Sequence, residues 1–167
     1  MTLEMACRIA LTLSRAAEGM LGPDDRGAGS EGMNAERTRY PACDLGLLPV
    51  DVVNVTLGTE LEPGRVRLSE AAHRHMAEDH PADYAACFTA LRLAVASPSF
   101  LGQAPGLARN FEMVRRTNRP DGKAVLVAIG LEPDQAGDYR VRSCYLVTAD
   151  TVDARRRVGR LMLPRPG

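Results

Sequence analysis

The chain of 167 residues has no long apolar run, no Cys-x-x-Cys pair, no internal repeat and only one lysine, Lys123. Each absence removes a class of protein. A membrane-spanning helix needs roughly 18–20 successive apolar residues, and no stretch comes near that length. The first 21 residues are fairly apolar, but Glu4, Arg8 and Arg15 interrupt them and no basic segment precedes them. A secretory signal is therefore not expected. Cys7, Cys43, Cys87 and Cys144 stand too far apart for a zinc knuckle or a dense disulfide framework. They read as buried thiols in a reducing, cytoplasmic setting.

What is present is enough for one folded domain. Hydrophobic residues make up 45% of the chain, and the 21 basic and 21 acidic side chains cancel. The cancellation hides a segregation. Residues 1–100 carry nine basic and 14 acidic side chains, whereas residues 101–167 carry 12 and seven. Because 20 of the 21 basic residues are arginine, the basic half is suited to an anion.

Gly22 to Asp44 holds four glycines, two prolines and almost no large aliphatic residue. Nothing there offsets the entropy of ordering, so it reads as a flexible linker. Thr2 to Met20 before it could close a short helix. The expected division is an N-terminal segment over residues 1–45 and a folded domain over 46–167. In the second part VDVVNVTL (50–57) is β-branched and predicts a strand. Residues 65–69 predict a short extended piece, with Ser69 as N-cap of a helix over EAAHRHMAED. Pro81 starts a second helix, on which Tyr84, Phe88, Leu91 and Val95 share a face. The period then turns from helical to alternating. Residues 109–116, 123–131 and 139–148 predict a three-strand meander, the middle strand buried on both faces. Asp150 predicts the cap of a short C-terminal helix closed by Gly159, and residues 160–163 a final edge strand. The fold class is α+β: two N-terminal helices packed on a small antiparallel sheet, with the short helix following.

All three histidines, His73, His75 and His80, lie within eight positions. His73 and His75 flank the Ala72–Met76 stripe of the first helix, and His80 falls on the bend before Pro81. Three readings compete: surface and cap residues, a metal site, or acid–base catalysis. His-x-His points apart on a helix, which argues against metal. Imidazole as a residue type titrates near neutrality, which qualifies it for proton transfer. A second constellation lies on the 139–148 strand, where alternation places Ser143 and Tyr145 on one face. Arg140 and Arg142 take the other face unless a bulge intervenes. Arg109, Arg115, Arg116 and Arg119 offer guanidinium groups for phosphate, while Arg155-Arg156-Arg157 reads as a solvated helix face.

These residues resemble a known family. VRLSEAAHRHMAEDHPADYAACFTALRLAVASPSFL is similar to the opening of the phage-associated nucleases grouped with barnase, EndoU, colicin-type and RelE-type ribonucleases. The match is His75-Met76, three residues, then His80-Pro81, with Pro98 closing the second helix. YRVRSCYLVTADTV resembles the family's final strand, in which a small hydroxyl residue stands two before a tyrosine. Ser143 and Tyr145 fill those places. The resemblance covers roughly residues 65–160. The chain departs from the pattern where threonine is common at Ser143, proline at Leu146, and a lysine among the basic positions of the sheet.

The resemblance implies a barnase- or RelE-like fold and a cytoplasmic, toxin-like or phage-encoded endoribonuclease without metal or cofactor. Such an enzyme directs the 2′-hydroxyl of RNA at the adjacent phosphate, leaving a 2′,3′-cyclic phosphate. His75 or His80 would move protons, Ser143 and Tyr145 would hold the phosphate, and Arg109, Arg116 and Arg142 would bind substrate. RNA, tRNA among the candidates, and an inhibitor or antitoxin protein are the implied partners. The alternatives are a catalytically inactive RNA- or protein-binding module on the same scaffold, and a zinc-dependent hydrolase built on the histidines.

Overall fold

The residues AVLVAIG form β5 (Ala124–Gly130), in which every position is buried. A strand covered on both faces needs neighbours on both edges, and the rest of the sheet forms around it. The computed structural model describes residues 39–103 and 109–167. Its other strands are β1 (Cys43–Leu47), β2 (Arg65–Leu68), β3 (Phe100–Gln103), β4 (Asn110–Arg116), β6 (Tyr139–Val147) and β7 (Leu161–Met162). The spatial order is β1-β2-β6-β5-β4-β3-β7. All neighbours are antiparallel except β2 and β6, which run parallel through the pairs Val66–Tyr139 and Arg67–Arg140.

This corrects the expected architecture. In place of two helices on a small antiparallel sheet, the described residues from Cys43 onward form four helices interspersed with the strands of a seven-stranded mixed sheet. The short strands β1 and β3, CDLGL and FLGQ, carry too few residues to show an alternating period. The pairing of β2 with β6 joins segments more than 70 residues apart, which no local pattern can reveal. β1 begins at Cys43, inside the stretch that reads as linker. The expected helix over Thr2–Met20 and most of that linker lie outside the described residues.

The second correction is VDVVNVTL, which forms helix α1 (Val50–Leu57) and not a strand. Strand propensity is a weak preference that tertiary contacts override. Here Pro49 precedes the first turn, Asp51 complements the helix dipole, and Gly58 closes the end at φ 68°, its N–H bonding to the Asn54 carbonyl. Val53 and Thr56, three apart, are buried. The Asn54 side chain locks the exit: its amide donates to the Leu61 carbonyl at 2.9 Å, and its oxygen accepts from the Thr59 hydroxyl and the Leu61 N–H, both at 2.8 Å.

The next two helices follow the sequence more closely. Helix α2 (Glu70–Asp79) is capped by Ser69, whose hydroxyl accepts from the Ala72 N–H at 3.2 Å. Helix α3 (Pro81–Ala96) begins at the proline and ends at Ser97. Its deepest face is Cys87, Leu91, Ala94 and Val95, and Phe88 stays partly exposed. Each fully buried aliphatic side chain of this kind contributes about 2 kcal/mol. Helix α4 (Ala149–Arg157) is capped by Thr148, two residues before the expected Asp150, its hydroxyl accepting from the Thr151 N–H at 3.2 Å.

The two faces of the sheet carry separate cores. On one, α1, α2 and α3 cover Phe111, Met113, Val125, Val127 and Ile129. On the other, α4 covers Phe100, Val114, Leu126 and Leu161 through Val152. This second face holds a charged pair: Glu112 of β4, only 3% exposed, accepts from Arg155 of α4 at 2.9 Å.

Two stability predictions follow from these contacts. Asn54→Ala removes three hydrogen bonds and should lower unfolding free energy by about 2 kcal/mol in urea denaturation, with α1 fraying first in amide exchange. Arg155→Met strands a buried carboxylate and should cost about 3 kcal/mol, whereas Glu112→Met with Arg155→Met should recover most of the loss.

Candidate active site

The antiparallel register sets out rows of side chains across the face that α4 only partly covers. From the β4–β5 hairpin towards the β5–β6 turn they are Arg116–Ala124–Val147, Val114–Leu126–Tyr145, Glu112–Ala128–Ser143 and Asn110–Gly130. Strict alternation would carry Arg142 to the opposite face, but the register shifts between Ala128 and Ile129: Ser143 pairs with Ala128 and Val141 with Ile129. Arg142 is the extra residue. This β-bulge turns it onto the face of Ser143 and Tyr145, where its guanidinium lies against Gly130, 3.2 Å from where a Cβ there would stand.

The edge of β6 is open at the same place. β2 pairs with β6 only at Tyr139 and Arg140, so among the described residues no strand flanks β6 on that side beyond them. The junction of α2 and α3 presents His80 there. Its ring stands 5.9 Å from the Tyr145 ring, centroid to centroid, tilted by 35°. Pro81 keeps His80 out of ordinary helical geometry (φ −130°, ψ 54°), so the imidazole is presented at the bend.

The structure therefore sets four of the seven expected site residues on one side of β6, with His80 beside Tyr145 and with Ser143 and Arg142 further along the same face. None of the four side chains hydrogen-bonds or ion-pairs with another described residue, and all are at least partly accessible. His75 does not join them. Its side chain is 60% exposed, and Nδ1 lies 3.2 Å from the Asp79 carboxylate. Arg116 shares the face, but its guanidinium stacks on Phe100 at 5.0 Å and reaches Asp153 at 3.8 Å. Arg109 is exposed at the start of β4, where its carbonyl accepts from the Leu131 N–H.

Other expectations are corrected. His73 is only 1% exposed and not a flanking residue: Nε2 is 2.8 Å from the Tyr84 hydroxyl, and the ring stacks on Phe88 at 4.7 Å. It is a core histidine. Arg115 donates to the Ser97 carbonyl at 2.6 Å. In the supposed solvated run, Arg155 holds Glu112 and Arg156 lies over Phe100 at 4.8 Å. The Glu112–Arg155 pair escapes a reading of local pattern. Its one signal is a lone acid inside the alternating strand NFEMVRR.

The electrostatics reflect this packing. Burial pushes the Glu112 carboxyl up, and Arg155 opposes the shift. Behind Ser143 and Tyr145, Cys144 faces the helices and donates a hydrogen bond to the Cys87 sulfur, which lowers Cys87 and raises Cys144 well above the usual thiol range. At the hairpin end, Arg119 grips Asp121 through Nε and Nη2 at 2.8–3.2 Å. That pair and the Lys123 N–H hold the Asp121 carboxyl down at about 2. Among the described residues no three His, Cys, Asp or Glu side chains form a metal-ligand group.

The Asp121 shift has a definite sign. A carboxyl lower in the folded than in the unfolded chain stabilises above the unfolded value, near pH 4, and loses that contribution as pH falls towards 2. Thermal unfolding of wild type and Asp121→Asn should therefore differ most above pH 4 and converge by pH 2. A gap that widens on acidification would contradict this assignment.

Among the described residues no helix is long and apolar enough to cross a membrane. No protein-family model, curated protein or solved structure matches the chain.

Proposed function

We propose that this protein is a cytoplasmic, metal-independent endoribonuclease of the barnase, EndoU, colicin and RelE group. The observation that carries the reading is the meeting of His80 and Tyr145, from two elements distant in sequence, at the edge of β6, with Ser143 and Arg142 further along the same face and none of the four side chains hydrogen-bonded or ion-paired to another described residue. Unpaired polar groups gathered at one place are available to a ligand, and these types suit a phosphodiester.

RNA supplies its own nucleophile. Removing the 2′-hydroxyl proton lets that oxygen attack the adjacent phosphorus, and the 5′-oxygen leaves with a proton from the enzyme. Two proton-transfer groups are needed, and His80 and Tyr145 are the two that stand together. The Ser143 hydroxyl donates to a phosphate oxygen as charge develops. Arg142 supplies fixed positive charge for the RNA backbone; an arginine binds phosphate well but is a poor proton donor. His75, paired with Asp79, has no part in the chemistry. An inhibitor protein that covers this face would block all four groups at once.

One observation favours a binding module instead: only one of the three histidines reaches the site. The two readings separate on total bacterial RNA incubated with chelator. The nuclease should give discrete fragments ending in 2′,3′-cyclic phosphate. His80→Ala should cut at least about 100-fold more slowly, Tyr145→Phe should also be impaired, and His75→Ala should cut at close to the wild-type rate. Intact RNA retained on wild type would move the assignment to the binding module. Equal cutting by His80→Ala would remove His80 from the mechanism.

A further inference from the structure

We infer that Arg142, held in place by the β-bulge and by the bare backbone of Gly130, forms a second phosphate subsite apart from the His80–Tyr145 pair, so that the site takes a single-stranded RNA several nucleotides long. The inference rests on the nucleotide reading of this face. It assigns Arg142 to a neighbouring phosphate and not to the one being cut.

The spacing decides between those two roles. Tyr145 stands opposite Leu126, whereas the Arg142 guanidinium lies against Gly130, four residues further along the same strand. At about 3.3 Å per residue that is about 13 Å. One phosphate cannot touch both ends, but an extended strand with one or two nucleotides between its phosphates can. Ser143, opposite Ala128, lies midway. The three residues therefore follow one another along β6, with proton transfer at one end and, at the other, a cation that reaches over Gly130 of β5.

Gly130 makes the cation's position possible. A Cβ at residue 130 would meet Arg142 Nε at 3.2 Å and Nη2 at 3.4 Å. A methyl group would push the guanidinium a few tenths of an ångström, and a branched side chain would lift it off the sheet. Arg142 has no ion pair or hydrogen bond to another described residue. Its place is set by shape: the bulge turns it onto this face, and the glycine leaves room for the Nε–Nη2 edge of its guanidinium. Gly130 is thus a positioning residue, and Arg142 is the group that meets the phosphate.

The test is the binding of 2′-O-methyl oligouridylates, which cannot be cut, with two or six nucleotides, followed by fluorescence anisotropy across a salt series. Wild type should bind the hexamer tighter than the dimer. Arg142→Ala should weaken the hexamer about tenfold and reduce its salt slope by about one, leaving the dimer unchanged. Gly130→Val should reproduce that loss with a cooperative melting transition, and Gly130→Ala should show a smaller one. Should Gly130→Val not fold, Arg142→Ala and Gly130→Ala carry the test between them. No hexamer binding by wild type, equal losses for both lengths, or a hexamer affinity untouched by Arg142→Ala would each overturn the subsite. Cleavage reports separately on the nuclease reading. Length-dependent binding without cutting retires the nuclease and keeps the subsite; cutting with no length dependence does the reverse.

Discussion

The burial of β5 on both faces is the constraint on which the rest of the molecule depends. Seven successive buried positions cannot leave backbone groups unpaired, so β4 lies alongside over the whole length and β6 from Ala124 to Ile129. That pairing divides the side chains strictly between two faces. Val125, Val127 and Ile129 meet the three helices on one side, and Ala124, Leu126 and Ala128 look the other way. The candidate site lies on the second face, which one short helix covers through Val152.

The departure from this regularity in the β5–β6 ladder is the one that shapes the candidate site. One extra residue in β6, Arg142, changes the face to which an arginine belongs. With a regular ladder Arg142 would point into the helix-covered side, where an unpaired guanidinium would be costly. With the bulge it joins Ser143 and Tyr145. Arg140, just before the bulge, is held instead by Asp134 in the β5–β6 turn. Two arginines of identical chemistry and adjacent alternate positions thus take different tasks.

Charge in this protein is placed as much as it is counted. Six of the eleven arginines of the basic C-terminal half are occupied: Arg115 by Ser97, Arg116 and Arg156 by Phe100, Arg119 by Asp121, Arg140 by Asp134, and Arg155 by Glu112. These contacts fasten α4 and the β4–β5 hairpin to the sheet. The guanidinium groups left over for a ligand are fewer than the composition suggests, and Arg142 is the one aligned with the hydroxyl groups of β6.

The amino-acid sequence by itself determined the local elements wherever a period or a cap was strong. Ser69 and Pro81 mark two helix starts, the apolar run marks β5, and Asp134 to Asp138 marks a turn, each through contacts between residues a few positions apart. It also placed Ser143 and Tyr145 on a common face, because the two-residue period of a strand is local. Tertiary structure decided the rest. It made VDVVNVTL a helix, since the Asn54 network and a buried Val53 outweigh β-branched preference. It set β2 beside β6, buried His73, turned His75 outward and brought His80 to Tyr145. Those outcomes depend on which distant segments pack together, and packing acts on the whole assembled surface, so no stretch of neighbouring residues encodes it alone.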